Sequence, residues 1–333
     1  MTDIEKIVTV LYPLIEPKLK WQIGELNLIK EVRLQEDGKL YVRIDLIADQ
    51  EPQKQAFEAE VRSQLGAIGY EHVVLNLYKV HVALNGLEGV KRILLVGSGK
   101  GGVGKSTIAV NLACALQMQG HRVGMMDADI QGPSQPILLG CKQKPQVLAN
   151  EMLLPLEAHG LKFISTGSLV QEEKAMAWRG QMVTGTLLQF IRNTAWGQID
   201  YLIVDLPPGT GDVQLTLAAE LKADGMIMVS MPQEVVLGDV RRSMDLVREK
   251  QIPLLGFVEN MSLYHCPDCG SERELFPHSG KSLEGIELLC RLPLETSIAA
   301  SGDAGKPIVL SGEGPAAQAF IGLAGRVSQS LPV

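Results

Sequence analysis

Aromatic residues are only 5% of this 333-residue chain, so any large core must be aliphatic, and a 46% hydrophobic share supplies it. No apolar run approaches the roughly 18 residues that a membrane-spanning helix needs, and no membrane association is expected. Basic residues are in the minority, 31 against 38 acidic ones, for a net charge of −7. That balance argues against broad nucleic-acid binding, which needs a basic surface. Cysteine is scarce: five residues, an odd count, do not make a disulfide scaffold. Cys114, Cys141 and Cys290 each stand alone in apolar surroundings and are expected as buried thiols. Met1-Thr2-Asp3-Ile4-Glu5-Lys6 lacks the basic-then-apolar layout of a secretory leader, so a cytoplasmic location is expected. Internal repeats, low-complexity tracts and heptad arrays are absent as well.

What is present falls into two rhythms. Residues 1–85 read as a small α+β domain. A helical apolar pattern runs over 3–20 (Ile4, Ile7, Val8, Leu11, Ile15). Two alternating strands, 28–34 and 40–47, flank a turn at Glu36-Asp37-Gly38, and a second helix from Pro52 carries Phe57, Val61 and Leu65 on one face. Residues 73–80 alternate as a third strand, and 86–91 read as a linker. From residue 92 to 333 the pattern becomes short, continuous apolar runs at 93–96, 123–126, 202–204, 226–229 and 254–258. Such runs suit parallel strands covered on both faces, and alternation with helices such as 105–119 and 237–249 predicts a doubly wound, mostly parallel sheet.

Gly99-Lys100-Gly101-Gly102-Val103-Gly104-Lys105-Ser106 follows the run 93–96 and precedes a helix, the setting a phosphate-binding P-loop requires. Glycines let backbone N–H groups converge on phosphate oxygens at a helix N-terminus. Lys105 is the candidate for the β- and γ-phosphates, Ser106 for Mg²⁺ and Thr107 for the α-phosphate. Asp127 and Asp129, two apart at a strand end, emerge on the same side. Asp205 ends an apolar strand in Leu202-Ile203-Val204-Asp205-Leu206-Pro207-Pro208-Gly209-Thr210-Gly211-Asp212, the arrangement that holds Mg²⁺ through water. Pro207 and Pro208 forbid helix there, while Gly209 and Gly211 permit close approach to a γ-phosphate, so this loop is a candidate switch. Asn260, after a further strand, has an amide suited to an adenine edge, and Pro293 with its leucine neighbours can pack on the ring. No guanine-reading Asn/Thr-Lys-x-Asp signature occurs, so ATP is preferred over GTP.

Tyr264-His265-Cys266-Pro267-Asp268-Cys269-Gly270 has the spacing of a metal knuckle. A tetrathiolate site needs four ligands, and no second pair exists in the chain. A symmetric dimer would supply four from two copies of Cys266 and Cys269. Spacing alone leaves iron–sulfur, zinc (with His265 or His278 as further ligands), a redox pair and an unmetallated turn all open.

Together these motifs resemble the Mrp/ApbC family of iron–sulfur cluster carrier ATPases, related to MinD and ParA, over residues 90–333. The resemblance rests on the P-loop with its second lysine, Asp127-Ala128-Asp129-Ile130, Trp178-Arg179-Gly180, the segment 205–212, Val258-Glu259-Asn260-Met261-Ser262, the Cys pair and Gly305-Lys306-Pro307-Ile308-Val309. It implies that Lys100 reaches into the partner's site across a homodimer, that Asp129 orients the attacking water and that Asp127 belongs to the Mg²⁺ shell. It further implies a 4Fe–4S cluster bridged by Cys266 and Cys269 of two chains and delivered to apo-proteins, with ATP hydrolysis changing the dimer arrangement. Residues 1–85 resemble a domain related to cytosolic iron–sulfur assembly factors. Here Glu16-Pro17 replaces its usual Asp-Pro, and Ala48-Asp49-Gln50-Glu51-Pro52 stands where a cysteine is often found, which favours a docking or structural role over a cluster role. The competing expectation is a MinD- or ParA-like regulatory ATPase acting on DNA or transcription. The acidic balance and the nearly uncharged, apolar C-terminal segment from Ala316 weigh against it.

Overall fold

In the computed structural model of the chain, the described residues are all but 1, 19–20, 36–38, 48–50, 80–85, 149–151, 170–179, 210–211, 234–237, 239, 242–243, 245–246, 249–250, 266–268, 270 and 277–284. Glu36-Asp37-Gly38, Ala48-Asp49-Gln50, Trp178-Arg179, Thr210-Gly211, Cys266 and His278 therefore lie outside the described residues. The rest divides into two compact units.

The first unit comprises residues 1–90 with 146–154 and 191–198. Its opening helix, Asp3–Leu11, starts on a capping box in which Thr2 and Glu5 satisfy each other's backbone N–H groups. The helix stops at Leu11 rather than continuing towards residue 20, because Pro13 has no N–H to extend the ladder. Ile15–Glu16 (β1) instead pairs with Trp21–Gln22 (β2). The buried Glu16 carboxylate accepts the N–H groups of Lys18 and Ile47 at 2.8 and 3.1 Å. Ile29–Leu34 (β3) and Leu40–Leu46 (β4) are antiparallel, and Val73–Lys79 (β5) adds parallel to β4. The crossover helix Glu51–Ala67 buries Phe57, Val61 and Leu65, as its periodicity required.

Two features of this unit differ from the sequence reading. Its core takes in Leu148, Met152, Leu154 and Ala195, so it recruits chain from well beyond residue 85. The segment expected as a linker begins with a buried 3-10 turn, Gly86–Gly89. A Cβ at Gly86 would stand 1.6 Å from the Thr194 carbonyl oxygen, and one at Gly89 2.0 Å from that of Gly197. These glycines serve close backbone packing, not flexibility.

The second unit is built on a nine-stranded sheet among the described residues. Its strands are Val90–Ser98 (β6), Val123–Asp127 (β7), Leu156–Ala158 (β8), Leu161–Ser165 (β9), Ile199–Asp205 (β10), Gly225–Ser230 (β11), Leu254–His265 (β12), Glu272–Glu274 (β13) and Leu288–Pro293 (β14). The order is β13-β12-β11-β6-β10-β7-β9-β8, with β14 also paired to β12. Pairings are parallel except for β12–β13 and β8–β9 at the edges, which is the doubly wound arrangement expected. Strands β7, β10 and β11 are buried at every position, matching their continuous apolar runs. Helix Lys105–Met118 crosses from β6 to β7 and is buried continuously from Ile108 to Leu116. The C-terminal helix Gly314–Ser330 buries Ala316, Ala317, Phe320, Leu323, Ala324 and Val327, a core-packed helix as its composition suggested. The described residues of 237–249 are helical. Cys114 is buried, whereas Cys141 and Cys290 are only half-buried because they sit at the edge of the apolar cluster.

Asp200 ties together the starts of three strands. It accepts from the Arg122 backbone N–H at 2.9 Å and from the Arg122 guanidinium at 3.0 and 3.2 Å, and it pairs with Lys91 at 2.9 Å. Burial pushes its carboxyl up, but the Arg122 and Lys91 contacts outweigh burial and hold it well below the usual carboxylate range. A carboxylate depressed in the folded state stabilises above its unfolded pKa of about 3.9 and loses that contribution as pH falls. Asp200→Asn is thus expected to lower unfolding stability by about 1–2 kcal/mol at neutral pH, the discount reflecting its half-exposed cationic partners. In denaturant titrations the gap to wild type should close progressively below pH ~4; a gap unchanged at pH 3 would contradict the assignment.

Candidate nucleotide site

The loop Gly99–Gly104 lies at the carboxyl end of β6, where α/β sheets bind ligands. Gly102 and Gly104 take positive φ, 78° and 85°, which only glycine adopts without strain. A Cβ at Gly104 would also fall 2.2 Å from the Asn260 amide nitrogen. Val103 is buried and its carbonyl accepts the Asn260 amide at 2.8 Å, so β12 clamps the loop. Ser98 Oγ donates to the Lys100 carbonyl at 2.8 Å, and the half-buried Lys100 follows at the outer side of the turn. Gly101 and Gly102 remain exposed.

Asp127 and Asp205 end neighbouring parallel strands in direct register, and both are fully buried. Lys105 forms a buried ion pair with Asp205, and its ammonium also lies 3.3 Å from Ser106 Oγ. Asp127 accepts from Ser165 Oγ at 2.9 Å and from the backbone N–H groups of Gln135 and Asp129 at 3.1 and 3.2 Å. Burial, and then the charge of Asp205, push its carboxyl up to about 7, against the opposing hydrogen bonds. Asp129 is buried too, with Oδ1 taking the N–H groups of Gln131 and Gly132 at 3.2 and 3.1 Å. The loop after β10 is docked onto the P-loop strand by two bonds, from Leu206 N–H to the Val96 carbonyl and from Gly209 N–H to the Ser98 carbonyl, both 3.0 Å. Gly209 adopts φ 110°.

Beside the loop is a cavity of about 230 Å³ whose lining includes Gly104, Thr107, Asn260, Met261, Pro293 and Ile298. The structure thus brings together Thr107, Asn260 and Pro293, which are far apart in sequence. The Asn260 amide nitrogen is engaged with Val103. Sequence reasoning missed Gln135 and Ser165, which hold Asp127. Gln135 sits just past the Asp127–Asp129 pair but looks like an ordinary turn residue, and the apolar run containing Ser165 was not singled out as a strand.

β12 continues from Asn260 into a hairpin with β13 through Leu263–Glu274, Tyr264–Arg273 and His265–Glu272 pairs. Between them Met261 takes φ 55°, a left-handed conformation at a non-glycine residue, where the pairing with β14 shifts register. Of the Cys-x-x-Cys segment that follows β12 in sequence, Cys269 is described: it is exposed with its sulfur 3.1 Å from Ser271 Oγ. Cys266 lies outside the described residues. Among the described residues no cluster of three or more His, Cys, Asp or Glu side chains is placed to hold a metal ion. No helix is long and apolar enough to cross a membrane among them.

Comparison with known proteins gives this geometry a family. The iron–sulfur cluster carrier protein of Deinococcus radiodurans is 41% identical over 326 residues, covering 96% of this chain and 93% of that one. The Arabidopsis thaliana iron–sulfur protein required for mitochondrial NADH dehydrogenase is 42% identical over 251 residues, 74% of this chain and 80% of its own. Among solved structures, a nucleotide-binding protein of Archaeoglobus fulgidus in complex with ADP superposes with a TM-score of 0.61 at 34% identity, covering 70% of this chain and 93% of that one. Pyrococcus furiosus MinD, at 22% identity and a TM-score of 0.56 over 72% of this chain and 98% of its own, shares the fold. A family model described as ParA, NUBPL iron-transfer P-loop NTPase, matches residues 89–328. The chain belongs to this family of iron-transfer P-loop NTPases.

Proposed function

We propose that the chain is an ATP-hydrolysing iron–sulfur cluster carrier that acts as a homodimer in the cytoplasm and delivers its cargo to apo-proteins. The observation that carries the reading is the course of β12, one strand that clamps the P-loop through Asn260 and runs on to His265, which directly precedes Cys266 in the sequence. Each chain holds one nucleotide site and two thiols, half of a tetrathiolate set, and a two-fold dimer completes the four. The names of the relatives in D. radiodurans and A. thaliana agree with an iron–sulfur role.

In this reading ATP occupies the loop Gly99–Gly104, with Lys105 on the β- and γ-phosphates and Thr107 near the α-phosphate. The base lies in the cavity against Asn260 and Pro293. The donor types fit a hard divalent cation: Ser106 offers a hydroxyl, and Asp127 and Asp205 are fully buried carboxylates in direct register, with burial and then the Asp205 charge pushing the Asp127 carboxyl up. Ser106, Asp205 and Asp127 would hold Mg²⁺, which when bound neutralises phosphate charge. Asp129, fixed by two backbone N–H groups, orients the attacking water. Lys100 serves the partner's site, and Gly209 reports the γ-phosphate by releasing or keeping its bond to Ser98. Rearrangement of this loop and of the dimer then changes how tightly the thiolates of Cys266 and Cys269 retain their cluster.

Anaerobic reconstitution with iron and sulfide should give about four irons and four sulfides per dimer, absent from a Cys266→Ser/Cys269→Ser variant that still hydrolyses ATP. Tightly bound zinc, or iron retained by the variant, would contradict the carrier reading and favour a regulatory ATPase. The two lysines should separate in their kinetics. Lys105→Ala should weaken nucleotide binding and lower hydrolysis by ~10²-fold or more, whereas Lys100→Ala should lower hydrolysis similarly while ADP affinity stays within about twofold of wild type. Parallel loss of ADP binding in both variants would place Lys100 in its own subunit's site.

A further inference from the structure

Gln135 is a buried polar residue held by three hydrogen bonds, and none of the motifs accounts for it. It is fully buried. Its backbone N–H donates to Asp127 Oδ2 at 3.1 Å. Its side-chain amide nitrogen donates to Asp205 Oδ2 at 2.8 Å and to the Ser106 carbonyl at 3.1 Å. One residue therefore touches both strand-end carboxylates and the backbone of the P-loop serine.

The amide orientation is fixed by chemistry. Both neighbours on that side are acceptors, so the NH₂ group must face them, and a flipped amide would set oxygen against a carboxylate and a carbonyl. The carbonyl oxygen Oε1 is thereby turned the other way, buried and with no hydrogen-bond partner. An unmet buried acceptor costs about 1–3 kcal/mol, a cost that a donor arriving with a ligand removes. A phosphate oxygen has no proton to give at neutral pH. A water molecule in the coordination sphere of a divalent cation does, and its O–H is a strong donor.

We propose that Gln135 is a positioning residue for the divalent metal: its NH₂ group holds the Asp205 carboxylate and the Ser106 backbone in place, and its Oε1 accepts a hydrogen bond from a metal-bound water. The inference rests on the reading of this site as a nucleotide–metal site. It assigns to Gln135 no contact with the phosphates, so its effect falls on metal affinity and not on nucleotide affinity as such. Outer-sphere partners of this kind typically change metal affinity by about 10-fold or more when removed.

The test uses the full chain, fluorescent ADP and Mn²⁺ as a paramagnetic substitute for Mg²⁺. Two quantities are measured: the Kd for ADP without metal, and the Kd for Mn²⁺ in the presence of saturating ADP from the electron-paramagnetic signal of free Mn²⁺. Gln135→Met keeps the volume and removes both functions. It is expected to weaken Mn²⁺ binding by about 10-fold while leaving metal-free ADP binding within about twofold of wild type. Gln135→Glu keeps an acceptor oxygen but sets its other oxygen against Asp205 and the Ser106 carbonyl, and is expected to weaken Mn²⁺ binding as well. Mn²⁺ affinity unchanged in Gln135→Met would overturn the proposal. So would an equal loss of metal-free ADP binding in both variants, or their failure to fold, since each marks a purely structural role. Wild type that binds ADP with no dependence on Mn²⁺ would overturn the metal reading of the site itself, and the inference with it.

Discussion

Two carboxylates, Asp127 and Asp205, meet at the ends of adjacent parallel strands with no access to water. Placing like charges side by side in a low-dielectric interior is expensive, and most of the surrounding architecture answers that cost. Lys105 comes from the P-loop helix, Ser165 from the end of β9, and Gln135 from the short helix after β7. Three separate segments must be in place before the pair is tolerable, so the site and the sheet form together. One ammonium faces two carboxylates, so neutralisation is incomplete, and burial, then the Asp205 charge, raise the Asp127 carboxyl.

That incompleteness is what makes the site responsive. Lys105 is the cation nearest the pair and also the side chain a P-loop offers to phosphate. In the proposed reading, a nucleotide that draws Lys105 away leaves Asp205 without its counter-ion, a charge that a divalent cation would answer, so nucleotide and metal would be linked through one ammonium group. The loop after β10 would feel the same event, since its Gly209 N–H rests on the Ser98 carbonyl at the base of the P-loop.

The sheet and the loop were legible in the sequence for a physical reason: parallel strands buried on both faces leave unbroken apolar runs, and the P-loop needs glycines at fixed spacing. Asp127, Asp205 and Asn260 could be picked out because each follows such a run. The partners that tune them could not. Gln135 and Ser165 are polar residues whose importance comes wholly from tertiary placement, and neither belongs to a periodic pattern. The same limit hid the true extent of the first unit. Leu148, Met152, Leu154 and Ala195 join its core from distant chain, a contact that local hydrophobicity does not announce. Glycines also misled: Gly86 and Gly89 resembled a flexible linker, yet backbone carbonyls stand where their side chains would be.

The nucleotide loop and the thiol hairpin share β12, with the left-handed Met261 between them. In the proposed reading, a strand irregular at that point would carry a change at Asn260 towards the hairpin over only a few residues. The direct measurement is the rate of cluster transfer from reconstituted dimer to an apo-acceptor, with ATP, with ADP and with no nucleotide. Coupling requires rates that differ by several-fold among the three states and a Lys105→Ala variant whose rate ignores nucleotide. Identical rates in all three states of the wild type would show that the nucleotide site and the Cys hairpin act independently.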